Sequence, residues 1–155
     1  MRMIGLARLT AAIVALAAVP AAAQMSGMDM PMHKMGPVMR TVYTTNHQFL
    51  LKLVSVPRAI PYQKYFRVRM AVYDGNDPAH RIMHPRVAVN VGMRHGLKTG
   101  FMHGMQSAPQ VSERDGVVTI SGLYFHMMGP WTLATTVHAA GKEGTAYFEL
   151  PCCVH

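Results

Sequence analysis

The sequence predicts an all-β fold: an antiparallel immunoglobulin-like β-sandwich of about seven strands, preceded by a signal peptide and a flexible Met-rich arm. Three observations predict it. Apolar and polar residues alternate along short runs between residues 41 and 150, the period-2 signature of half-buried strands. Turn signals rich in Gly, Pro, Asn and Asp separate these runs. No segment of this region carries the i, i+3, i+4 apolar stripe of an amphipathic helix.

Residues 1–23 combine a basic start (Arg2, Arg8), an apolar run from Leu9 to Val19 and a small-residue end, Ala21-Ala22-Ala23. This three-part layout is that of a secretory signal peptide cleaved before Gln24. The apolar run is shorter than the roughly 20 residues a spanning helix needs. The expectation is export to the periplasm, with no membrane-spanning segment after cleavage. Residues 24–40 are rich in Met, Gly and Pro without apolar periodicity, and read as an arm rather than as part of a core.

The sandwich domain is expected over residues 41–150. Thr41 to Val56 contains the run Phe49-Leu-Leu-Lys-Leu-Val54 and stops at Pro57. Tyr65 to Tyr73 places Phe66, Val68, Met70 and Val72 on one face, and Arg67 and Arg69 on the other. The turn Asp74-Gly-Asn-Asp-Pro78 follows. Pro85 to Met93 alternates through Val87, Val89 and Val91, and Val117 to Ser121 follows the Asp115-Gly116 turn. Trp131, Leu133, Thr135 and Val137 share a face, as do Ala146, Phe148 and Leu150. The long irregular segment runs from Gly92 to Pro109, and loops of that length in compact domains are usually functional.

Setting aside 23 of 155 residues leaves 132, enough for one domain with a real core. Fifteen Lys/Arg less Arg2 and Arg8 leave 13 against seven Asp/Glu, a formal charge of +6. These cations are scattered singly, so the balance describes a solvated surface and no nucleic-acid partner is expected. Enzymatic chemistry is not expected either. The seven acids sit mostly in turns, and no carboxylate pair lies in an apolar setting that would raise a pKa.

The signal that stands out is the company the methionines keep. Fifteen Met and nine His occur in the chain, and they cluster at Met93-Arg-His95, Met102-His103-Gly-Met105 and His126-Met127-Met128. The arm repeats the pattern with Met28, Met30, Met32 and His33. Thioether beside imidazole suits copper, Cu(I) above all, and suits magnesium or calcium poorly. Methionine alone is also an adaptable core filler, so Met93 at a strand end and one of Met127 and Met128 beneath Trp131 have an equally good reading as packing. The primary candidate ligands are His103, Met105, His126, Met127, Met93 and His95. The secondary candidates are Met28, Met30, Met32 and His33 of the arm, with Cys152, Cys153 and His155 of the tail at residues 151–155. Adjacent cysteines cannot staple distant parts of a fold together, so this pair is open to an accessory soft-metal site, an intermolecular disulfide or no role.

The segments Arg86-Val-Ala-Val, His103-Gly-Met105, Pro109-Gln-Val111, Gly122-Leu-Tyr-Phe-His126-Met127, Gly129 and Trp131-Thr-Leu133 resemble the YtkA-like domain, akin to FixH. The resemblance runs from Arg86 to Leu133. It implies a small exported or membrane-tethered immunoglobulin-like domain associated with copper handling and oxidase maturation, with His103, Met105 and Met127 at the family's loop positions. The segment departs from the family at Gly100-Phe-Met102, where a Met-Pro step is common, and His95-Gly96 is a second match to its His-Gly step. The expectation is therefore a periplasmic copper-binding protein. It would bind, buffer or deliver copper, with a membrane oxidase or a copper efflux or import protein as partner. The alternative is a non-catalytic interaction module that docks a membrane complex.

Overall fold

The computed structural model describes residues 38–93 and 103–153. The expected signal peptide, the arm ligands Met28, Met30, Met32 and His33, and His95 and His155 lie outside the described residues. Nine strands are described, in two antiparallel sheets with no helix among them. The first sheet contains β1 (Thr41–Tyr43), β2 (Phe49–Ser55), β3 (Tyr65–Asp74), β6 (Gln110–Arg114) and β7 (Val117–Tyr124), in the order β1-β2-β3-β7-β6. The second contains β4 (Arg86–Met93), β5 (His103–Gly104), β8 (Gly129–Ala139) and β9 (Lys142–Cys152), in the order β5-β4-β8-β9. The fold is an antiparallel β-sandwich.

The alternation read along the chain becomes the two faces of each sheet. Val68, Met70 and Val72 of β3 are buried while Arg67 and Arg69 are exposed, and a bulge between Phe66 and Val68 leaves Phe66 partly covered. Leu51 and Leu53 of β2 and Val118 and Ile120 of β7 extend the same layer. Leu133, Val137, Ala146, Phe148 and Leu150 face it from the second sheet. Each buried Val, Leu, Ile, Phe or Met side chain among them contributes about 1.5–3 kcal/mol through burial, so the interlocked faces are what hold the two sheets together. At one edge the β1–β2 turn closes against β9. Thr44 is buried, its Oγ1 accepts the Phe49 N–H at 3.0 Å, and Asn46 donates to the Glu143 carbonyl at 2.7 Å.

The strand count exceeds the expected seven because of short or exposed segments. β1 and β5 have three and two residues, too few to show a period. β6, Gln-Val-Ser-Glu-Arg, is an edge strand with almost no buried face, so it carries no alternation to read. The long segment before Pro109 is thus interrupted by β5 pairing with the end of β4. The C-terminal boundary also moves. β9 continues through Cys152, which forms a parallel bridge with Ile60, and Cys152 and Cys153 belong to the core. Residues 151–153 are therefore structural rather than a loose tail. The two cysteine side chains lie against each other as a disulfide between neighbours.

Candidate metal centre

The end of the sandwich where β4 finishes and β8 begins is organised around Trp131. Its side chain is fully buried. Phe125 stacks flat on the indole, with centroids 4.3 Å apart and planes within 4°, and Phe66 meets Phe125 edge-on at 5.0 Å. Such pairs add about 0.5–1.5 kcal/mol each beyond their burial. A buried indole N–H needs an acceptor, and Trp131 Nε1–H donates to the Met127 carbonyl at 2.9 Å. That bond holds the Met127 backbone at the edge of the indole. His126 then approaches the indole edge-on, with centroids 5.5 Å apart at 72°.

Register brings the second loop to the same end. Met93 is directly opposite Trp131 across β4–β8 and directly opposite His103 across β4–β5. Directly paired residues place their side chains on one face. His103 is thus on the core side of the sheet, on its edge strand, and is exposed at the rim. Two inter-strand steps separate the backbones of His103 and Trp131, about 10 Å. Met105 follows, half-buried, and its Sδ accepts the N–H of Tyr124 at 3.4 Å. Tyr124 is two residues before His126, so this contact fastens the 103–105 segment to the strand that leads into the other loop. A cleft of about 260 Å³ lined by Val89, Asn90, Gly104, Met105 and Pro109 lies alongside.

The candidate residues fill different roles at this end. His103, Met105, His126 and Met127 share it, with His103 exposed and the other three half-buried. Met93 is only 4% exposed, and its methyl end lies where a side chain on Gly129 would be, 2.6 Å from an ideal Cβ there. Gly129, with φ 134°, is thus matched to Met93 as a packing pair. Met93 backs the site from the core, the packing role its strand-end position also allowed. Of the adjacent methionines, Met127 packs against the core and Met128 is 49% exposed. The sequence said that the two would part in this way but gave no means of telling which would turn outward. Cys152 is opposite Gly129 across β8–β9, so the cysteine pair is buried at this same end rather than held out in a tail.

One polar atom here lacks a partner: His126 Nδ1 is buried and forms no hydrogen bond among the described residues. A buried imidazole nitrogen without a donor or acceptor is costly, and a ligated ion would satisfy it. Among the described residues, no group of three or more His, Cys, Asp or Glu side chains is arranged to hold a metal. A centre at this end therefore has to mix imidazole with thioether, a donor set that selects soft ions. The sequence placed a methionine beneath Trp131, but the edge-on contact of His126 with the indole was not read from it.

Comparison with family models, curated proteins and solved structures finds no match to the chain.

Proposed function

We propose that this protein binds copper at the Trp131 end of its sandwich and serves to buffer or deliver it outside the cytoplasm. The observation that carries the reading is that strand register brings two Met/His segments to one end of the sandwich. His103 and Met105 arrive through the β4–β5 register and the Tyr124 contact, and His126 and Met127 through the indole. Two imidazoles and two thioethers suit Cu(I) and tolerate Cu(II). The unpartnered His126 Nδ1 supports the same reading. The arm with Met28, Met30, Met32 and His33 adds further soft donors in sequence. The signal-like segment 1–23 supports a periplasmic setting, and the resemblance to YtkA-like domains supports a membrane oxidase or a copper efflux or import protein as partner.

The test is a competition titration of the purified protein against Cu(I) chelators. His103→Ala and Met127→Ala should each weaken Cu(I) binding ten-fold or more, about 1.4 kcal/mol, with the fold intact by circular dichroism. If both variants hold Cu(I) as tightly as the parent, the two loops do not share an ion. The interaction-module reading then becomes the better one.

A further inference from the structure

A second arrangement of histidines lies at the opposite end of the second sheet, where β4 begins and β8 finishes. His138 on β8 is directly opposite Arg86 on β4 and directly opposite Glu143 on β9. His138 Nδ1 is 3.1 Å from Glu143 Oε2. His84, two residues before Arg86, has its Nδ1 3.0 Å from Oε2 of Glu113, which β6 contributes from the other sheet. Both histidines line one open cleft of about 490 Å³, together with Arg86, Lys142 and Glu143.

A carboxylate only accepts hydrogen bonds, so in each pair the proton belongs on Nδ1. The neutral imidazole then presents an unprotonated Nε2 with a free lone pair. A histidine whose far nitrogen is held by a carboxylate is the usual arrangement around a bound metal, because the carboxylate fixes the tautomer and raises the ligand's basicity. Two histidines so held line one cleft.

We propose that His84 and His138 form a two-histidine site for an imidazole-preferring divalent ion, Zn(II), Cu(II) or Ni(II), with Glu113 and Glu143 as positioning residues and water completing the coordination. It is separate in place and in chemistry from the thioether-rich end, and does not depend on copper binding there. The borderline ions favour nitrogen donors, whereas calcium and magnesium would need more oxygen ligands than this cleft offers.

The test uses the full chain titrated with Zn(II), followed through the histidine ring resonances by NMR and by calorimetry. The ring signals of His84 and His138 should shift together and saturate at one ion. His84→Ala and His138→Ala should each reduce the affinity of that event at least ten-fold, while the metal-free variants remain folded by circular dichroism. Glu143→Gln keeps both candidate ligands and should still lose affinity on the order of 10-fold to 100-fold; a merely structural Glu143 would leave the Zn(II) titration unmoved. His103→Ala and Met127→Ala, which act at the other end, should leave it unchanged. Zn(II) shifting one ring without the other, or binding undiminished in His84→Ala and His138→Ala, would overturn the proposal.

Discussion

Replacing Gly129 with alanine probes the end of the sandwich on which the proposed soft site depends. Gly129 has φ 134°, a conformation that costs a residue with a side chain on the order of 1–3 kcal/mol. Its new Cβ would also arrive 2.6 Å from the Met93 methyl. Overpacking a core costs about 1–3 kcal/mol, and the low end applies here, because the atom that must give way is the far end of a flexible side chain. Gly129→Ala should therefore destabilise the fold by about 2–4 kcal/mol. Met93→Ala removes a buried thioether chain and should cost about 2–5 kcal/mol by itself. In the double variant the clash is gone, so the two costs should fall short of their sum by about 1 kcal/mol. Denaturant midpoints of the four proteins, at constant slope, measure this coupling. Additivity to within about 0.3–0.5 kcal/mol would show that Met93 does not lie over Gly129. The account of how β4 and the 126–128 turn are assembled around Trp131 would then be wrong.

Cys152 is fully buried in the core, so Cys152→Ser should destabilise the protein by about 1–3 kcal/mol, from placing a hydroxyl there without a partner; an unchanged melting temperature would return residues 151–153 to a dispensable tail. The Glu113 carboxylate, chiefly through its hydrogen bond to the ring, holds the His84 pKa above its ordinary value, and the same bond, with the Gly116 N–H, holds Glu113 below its own. The contribution of His84 to stability is complete below its unfolded-state pKa and is lost as pH rises through the raised folded value. That of Glu113 is present above its unfolded-state pKa and is lost as pH falls through the lowered folded value. The pair therefore stabilises between the two. In metal-free protein, an NMR titration should show the His84 ring titrating above the usual histidine value and returning toward it in Glu113→Gln; no change in that variant would refute the contact.

What the sequence by itself determined was the class of fold and where along the chain thioether and imidazole side chains adjoin. Val68, Met70 and Val72 against Arg67 and Arg69, and Ala146, Phe148 and Leu150 along β9, announce their faces because the strand period is two and one side of each strand must leave water. The clustering of thioether with imidazole was legible for the same local reason, since adjacency in the chain survives any fold. Edge strand β6 was not legible, because a strand without a buried face leaves no pattern. Three-dimensional structure alone decided which neighbours meet. Met127 turns toward the core and Met128 outward, with the Met127 carbonyl accepting the Trp131 indole N–H. The cysteine pair is buried because β9 runs on to pair Cys152 with Gly129. His84 and His138, 54 residues apart and with only Met83 as a soft neighbour, share a cleft through the β4–β8 register and a carboxylate from the opposite sheet. Long-range register is set by the whole core at once, and no window of sequence contains it.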